Sequence, residues 1–299
     1  MSIAEKTSTE QTPQTSRAEQ VATPQAAARP KPPRKTPSGR TLLSFVLPPL
    51  VVLVVAVALW QALISVFGVP KFLVPAPGDV LAEIGPAIGT LVEPTLVTMG
   101  EAYGGFLLAA VVGFAVAFVM ARWNVAERGL YPYMVLLQTI PIIAVAPILV
   151  VWLGPGPTTN TVVAAMIAVF PVTANTLTGL KSTDRNLVQL FAMAGATRRY
   201  EMGVLRIPYA LPYVLTGLRI AAGSSVIGAI VGEFVAGIGG GQGGLGYVIT
   251  STAQQLLMPR LFLAVIAASC VSLLLFGLVR LVEVLTLRRW HESAMSHDD

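Results

Sequence analysis

Long apolar runs separated by short polar breaks dominate this chain. No Asp, Glu, Lys or Arg occurs from Leu42 to Val69 or from Gly129 to Leu180, and the runs Ala102–Ala121, Phe234–Pro259 and Leu261–Val279 are equally free of charge. About 20 mostly apolar residues suffice for a helix to cross the hydrocarbon core of a bilayer. The pattern therefore predicts an all-α integral membrane protein that crosses the bilayer several times.

Six spans are predicted from these runs. The charge-free stretch 129–180 is too long for one helix, and Gly154-Pro155-Gly156-Pro157 is a strong turn signal in its middle, so it must hold two spans. The predicted spans are 42–68, 95–121, 130–153, 159–180, 208–236 and 260–287.

Composition agrees with this pattern and divides the chain. Hydrophobic residues make up 54% of the 299 positions and charged residues only 12%, against about a quarter in soluble domains. Residues 1–40 are rich in Pro, Thr, Gln and Ser, so we expect a disordered cytoplasmic tail rather than a signal peptide. A first transmembrane helix at 41–69, a core at 70–287 with five further helices, and a short cytoplasmic tail at 288–299 complete the predicted organisation.

The distribution of basic residues predicts the orientation. With the N-terminus in the cytoplasm, sixteen Lys and Arg side chains fall on the cytoplasmic side and only Lys71 and Arg260 on the other. This asymmetry favours an N-in, C-in topology. The net charge of +5 does not indicate a nucleic-acid-binding protein, because the basic residues are not gathered on one soluble face.

The predicted cytoplasmic segment 185–207 is the longest loop on that side between spans. Asp184 is a candidate N-cap, and Leu187, Leu190 and Phe191 recur at helical spacing until Gly195 interrupts them. We expect a short helix, a turn and a second short helix. Taken alone, this pattern also fits an ordinary helical connection between two spans.

The same segment resembles the signature cytoplasmic loop of ABC importer permeases. In that loop a Glu-Ala-Ala run precedes a glycine and an Ile-x-Leu-Pro closes the segment; here Gln189-Leu190-Phe191, Gly195 and Leu205-Arg206-Ile207-Pro208 stand at these places, with Gln189 replacing the acidic residue. Further matches to the nitrate, sulfonate, taurine and pyrimidine-precursor branch extend over residues 70–287. They are Pro141–Pro147 with Trp152-Leu153-Gly154, Phe170-Pro171, Ala210-Leu211-Pro212, Gly217-Leu218-Arg219, Gly232-Glu233-Phe234 and Gly244-Leu245-Gly246-Tyr247.

The resemblance implies a type I ABC importer permease with six transmembrane helices, located in a bacterial inner membrane. It implies a second permease copy, most simply a homodimer, two cytoplasmic ATPases and an external substrate-binding protein. The chain has no phosphate-binding loop, so we expect ATP and Mg²⁺ on the ATPase and no cofactor or enzyme activity on this chain. The residues expected to couple to the ATPase are Gln189, Ala192, Gly195, Ala196, Arg198, Arg199 and Pro208.

Polar groups and prolines within the spans are candidates to line a translocation path. These are Glu101, Gln138, Pro141, Asn175, Ser224, Ser225 and Glu233. Intramembrane carboxylates are costly and generally functional, although Glu101 and Glu233 fall near the external ends of their spans and there could reach water or a basic partner. Two acids would repel a small anion, which favours a pyrimidine-like or vitamin-like solute over nitrate, sulfonate, taurine or bicarbonate.

Three other interpretations are disfavoured by the sequence. The glycine-rich segment 237–258 contains Gly239-x-Gly241-x-x-Gly244, but no strand precedes it, so a flexible external loop is favoured over a dinucleotide site. A secondary transporter or channel would show internal repeats and midplane ionisable groups, which the sequence lacks. A membrane-embedded enzyme would need a nucleophile, metal cluster or acid–base pair, and none assembles in the sequence.

Overall fold

A computed structural model describes residues 39–238 and 243–295, and every regular element within those ranges is helical. The helices are α1 Gly39–Phe67, α2 Pro77–Arg122, α3 Asn124–Thr139, α4 Ile142–Leu153, α5 Pro157–Lys181, α6 Arg185–Met193, α7 Arg198–Glu201, α8 Ile207–Ile238, α9 Leu245–Gln254 and α10 Met258–Met295. A π-helical turn, Met202–Arg206, joins α7 to α8.

The chain divides into two units after Leu53. The described part of the first unit is the beginning of α1, which contains Pro48 and Pro49. The second unit, Val54–Asp299, contains the rest of α1 and every later helix. The prediction of a disordered tail concerns residues that lie almost wholly outside those that the structure describes.

Within the described ranges, five helices are long and apolar enough to cross a membrane. They are Leu47–Phe67, Pro77–Arg122, Pro157–Lys181, Arg198–Ala236 and Met258–Thr286. The pair α3 and α4 makes a sixth if the two are counted as one broken span. An all-α membrane protein is thereby confirmed; the N-in, C-in orientation stays a prediction.

The predicted third span, 130–153, is not one straight helix but the two helices α3 and α4. The chain bends by 98° between α3 and α4. Ile140 is extended, with φ −70° and ψ 125°, and Pro141 precedes the first residue of α4. The reason is local: proline has no N–H to donate, and its ring disfavours helical backbone in the residue before it.

Three other predicted boundaries are corrected. Helix α2 begins at Pro77 rather than near residue 95, because the helix accommodates Pro86 and Pro94. Helix α10 runs on to Met295, through part of the predicted C-terminal tail. The glycine-rich segment 237–258, predicted to be a flexible external loop, contains a helix, since residues 245–254 form α9.

Helix α5 lies at the centre of the second unit and packs extensively against α2 and α8. Small residues allow these helices to approach closely, as is common in membranes. A Cβ added to Gly228 of α8 would lie 2.6 Å from the Cα of Ala164, and one added to Gly105 of α2 would lie 2.9 Å from the carbonyl oxygen of Thr161. Side chains at these two positions would force the helices apart.

Large apolar side chains cover the outside of the second unit. Leu81, Val111 and Leu273, for example, are 66%, 68% and 68% exposed. Exposed apolar surface of this extent is unfavourable in water and is expected where helices face lipid. The outward apolar surface and the small-residue interior thus agree with a membrane location.

Candidate functional site

The predicted coupling segment, residues 185–207, folds as the sequence indicates. Asp184 caps α6, its Oδ1 accepting a hydrogen bond of 2.8 Å from the backbone N–H of Asn186. Thr197 caps α7 in the same way, accepting from the N–H of Tyr200 at 3.3 Å. The rings of Phe191 and Tyr200 stack with centroids 6.3 Å apart and hold the two short helices together.

Gly195 makes the turn between these helices. Its φ of +73° lies in the left-handed region, where a side chain is strained, and no atom lies within 4 Å of the place where a Cβ would be. The N–H of Ala196 donates to the carbonyl of Phe191 at 3.0 Å, so the last turn of α6 closes in the manner of a Schellman motif. Glycine is therefore required here by backbone conformation and not by lack of space.

The coupling segment exposes most of the residues predicted to meet a partner. Gln189, Ala192, Gly195, Arg198 and Arg199 are exposed, whereas Ala196 and Pro208 are half-buried.

Apolar side chains stand among these exposed residues. Leu190 is 55% exposed and Met193 is 79% exposed. Apolar surface at a face predicted to meet water indicates a protein interface.

The base of the coupling segment is tied to the spans. Arg206 donates from Nε to Glu201 Oε1 at 2.7 Å and from its guanidinium to the carbonyl of Leu180 at 3.4 Å. The π-helical turn then leads without a loop into α8. The coupling segment is therefore joined to α8 by continuous helical backbone and to α5 by a side-chain hydrogen bond.

A buried polar cluster lies among α2, α5, α8 and the start of α9. Glu233 of α8 accepts hydrogen bonds at both carboxyl oxygens: from the hydroxyl of Thr98 at 2.6 Å and from the backbone N–H of Gly246. Thr98 in turn accepts from the N–H of Leu245 at 2.7 Å. Together, Glu233 and Thr98 accept hydrogen bonds from two of the N–H groups at the beginning of α9 that have no partner within the helix, a role normally taken by a neighbouring cap residue.

Glu101 completes this cluster from α2. The side-chain amide of Asn160 donates to Glu101 Oε1 at 2.9 Å, and the Glu101 and Glu233 carboxyl groups are direct neighbours. Glu101 is only 3% exposed and Glu233 only 1%. The expectation that they reach water or a basic partner is wrong, because helix packing closes over both and no described Lys, Arg or His bonds to either.

The remaining candidates for the path do not gather around this cluster. Gln138 is exposed on α3, and Pro141 lies at the bend before α4. Asn175, Ser224 and Ser225 each bond to a carbonyl of their own helix, that of Pro171, Ile220 and Ala222 respectively. Their role in a translocation path stays a prediction.

Sequence reasoning missed Thr98 and Asn160. Both are short polar residues in otherwise apolar helices, and each is fully enclosed. One signal was available, since Thr98 precedes Glu101 by three residues and therefore shares its helix face.

Gly244 and Gly246 fall in the predicted external loop, yet both border the cluster. A Cβ on Gly244 would collide with Thr98 and Glu233, and one on Gly246 would lie 2.7 Å from the carbonyl of Ile230. Part of the glycine-rich sequence thus reflects close packing around the carboxyl groups.

The described helices, with five or six candidate membrane spans closely packed through small residues, define the class of multi-pass α-helical membrane proteins. More particularly, the chain belongs to the family of binding-protein-dependent transport system inner membrane components, whose model matches residues 105–289. It is the permease component of an ABC transport system for small solutes, located in the membrane, and not an enzyme.

Individual relatives cover nearly the whole chain. The riboflavin transport system permease protein RibX of Chloroflexus aurantiacus is 34% identical over 87% of this chain and 97% of its own. The formylaminopyrimidine transport permease protein ThiX of Halalkalibacterium halodurans is 35% identical over 81% and 95%. The putative aliphatic sulfonates transport permease protein SsuC of Bacillus subtilis is 27% identical over 80% and 86%.

Proposed function

We propose that this permease imports a small heterocyclic solute of the pyrimidine or flavin class, driven by a separate ATPase that grips the coupling segment. The exposed apolar side chains of Leu190 and Met193 support the proposal that the ATPase binds here, because they belong to a pair of short helices that both have side-chain caps. ATP and Mg²⁺ bind the partner, and this chain transmits the motion of that partner to its spans.

The proposed assembly contains two permease copies, two cytoplasmic ATPases and an external binding protein. The family description names a binding-protein-dependent system, which supports the last of these partners. The basic side chains Arg198 and Arg199 remain exposed on the coupling segment and supply charge for the ATPase groove. A homodimer is the simplest arrangement of the two permeases.

Binding of the ATPase to the coupling segment is tested by replacing one exposed apolar residue with a charged residue. Met193→Arg places a charge where we propose an apolar contact and is expected to abolish co-purification of the ATPase subunit. Leu73→Arg is the matched control, because Leu73 is 61% exposed but lies between α1 and α2, outside the candidate spans and on the opposite predicted face. Retention of the ATPase by Met193→Arg would contradict the docking site.

The solute class rests on two observations. The riboflavin and formylaminopyrimidine permeases are more similar to this chain than the sulfonate permease, at 34% and 35% against 27% identity. The buried carboxyl pair also has no basic partner among the described side chains, which disfavours passage of an anion close to it. Nitrate, sulfonates, taurine and bicarbonate are the alternative solutes.

The reconstituted complex with its binding protein distinguishes these solutes. We expect its ATPase rate to rise with riboflavin or a formylaminopyrimidine and to remain at the basal level with nitrate, taurine or an alkanesulfonate. The reverse pattern would refute the solute class and leave the coupling site unaffected.

A further inference from the structure

In the part of the chain that the structure describes, the buried carboxyl groups of Glu101 and Glu233 have no positive charge beside them to compensate for their own charge. The carboxyl groups of Glu101 and Glu233 are within hydrogen-bonding reach of each other, with exposures of 3% and 1%. Among the described residues, the hydrogen bonds that they receive come from neutral groups. Glu101 Oε2 and Asn160 Oδ1 are buried without a hydrogen-bond partner. A buried pair of negative charges needs a compensating positive charge.

The surrounding helices offer no such charge. Thr98 faces the pair from α2, Asn160 from α5 and the backbone N–H of Gly246 from α9, and none of these is ionisable. Of the basic residues described on α2, α5 and α8, Lys181 bonds to Glu127, Arg219 bonds to Glu283, and Arg122 lies in the last turn of α2, over the ring of Trp123. Helix α9 carries no charged residue.

We propose that Glu101 and Glu233 bind a single proton between them, and that this proton keeps the start of α9 docked on α2 and α8. The proton lies on Glu101 Oε2 and is donated to Glu233, so the oxygen without a partner becomes a donor. Glu233 keeps its acceptor role toward Thr98 and Gly246. The pair then carries one negative charge, placed at the helix N-terminus of α9, where a negative charge is favourable.

Loss of the proton has a defined structural consequence. At alkaline pH the Glu101 O–H bond breaks, the proton passes to hydroxide, and two adjacent carboxylates remain in a low-dielectric interior. Their repulsion acts directly on Glu233, which holds the N–H of Gly246. The first turn of α9 is then released, while the apolar contacts of α5 with α8 are untouched.

Infrared spectroscopy of the full-length chain in lipid nanodiscs tests for the proton. We expect a protonated-carboxyl stretching band at neutral pH, shifted in heavy water, and lost in Glu101→Gln. The amide of this variant reproduces the donor and acceptor of protonated Glu101. Absence of the band from the wild-type protein, or its persistence in Glu101→Gln, overturns the proposal. The proposal is also overturned if the α9 contacts depend on Na⁺ and not on the proton.

Hydrogen exchange at Leu245 and Gly246 tests the consequence. We expect the protection factors of these two amides to fall as pH rises in the wild type and to stay high in Glu101→Gln. Thr98→Val is the control, because it removes the hydroxyl bonds but keeps both acids: we expect early loss of protection with the infrared band retained. Equal pH profiles for the wild type and Glu101→Gln would overturn the docking role. None of these measurements requires solute or ATPase, so they are independent of the proposed function.

Discussion

The turn at Gly195 allows a quantitative test of the coupling segment. In Gly195→Ala the new Cβ meets no other atom, so the change acts only through the backbone conformation at φ +73°. Left-handed backbone costs a non-glycine residue about 1–2 kcal/mol. If the ATPase binds only the left-handed turn, its apparent affinity for the permease falls in proportion to the population of that turn. A cost of this size therefore predicts a complex that is roughly 5- to 30-fold weaker.

The affinity is measured by titrating labelled ATPase subunit onto the permease in nanodiscs. Gly203→Ala is the matched control, because Gly203 is also exposed in the coupling segment, has no neighbour within 4 Å and lacks a positive φ. Gly195→Asn should lose less affinity than Gly195→Ala, since asparagine tolerates left-handed backbone better. Wild-type affinity in Gly195→Ala would refute the argument that this turn forms the docking surface.

Two further predictions concern stability. Gly228→Val should lower the thermal midpoint of the permease, because the added Cβ would lie 2.6 Å from the Cα of Ala164. Overpacking of this kind costs about 1–3 kcal/mol. Gly223→Val on the same helix is the control and should leave the midpoint unchanged, because a Cβ at Gly223 has no neighbour within 4 Å. A wild-type midpoint in Gly228→Val would contradict the close packing of α5 and α8. Arg260→Gln should change the midpoint little, because its 3.1 Å pair with Glu83 is about one-third exposed and such pairs contribute at most about 1 kcal/mol; a large loss would show that this pair is structural.

The sequence was most informative where one local rule decided the structure. Charge-free runs predicted the membrane helices, and the predicted span 159–180 differs from α5 by only a few residues. Asp184 and Gly195 predicted the beginning of α6 and the turn after it, because capping and left-handed glycine depend on neighbours in the chain.

Competition between local rules explains the errors in the helices. The predicted span 95–121 begins well after the start of α2, which begins at Pro77 and continues through Pro86 and Pro94. Pro141 was assigned to a span interior and instead marks the bend before α4. Whether a proline kinks a helix, ends it or is accommodated depends on the neighbours that satisfy the freed carbonyls, and sequence alone does not give those neighbours.

The buried cluster depends on tertiary packing and was predictable only in part. Glu101 and Glu233 were identified as unusual because a carboxyl group in an apolar run is costly anywhere. Their meeting with Thr98 and Asn160 requires α2, α5 and α8 to be placed in register, which the sequence pattern does not specify.

Uptake into sealed vesicles tests most directly whether this permease is a passive pathway driven by a separate motor. We expect vesicles that contain the permease, the ATPase and the binding protein to accumulate solute only when ATP is supplied to the ATPase side. Vesicles that contain this chain alone should show no solute uptake under an imposed solute, proton or sodium gradient. Nucleotide-independent uptake by the chain alone would contradict the account and indicate a secondary transporter or channel.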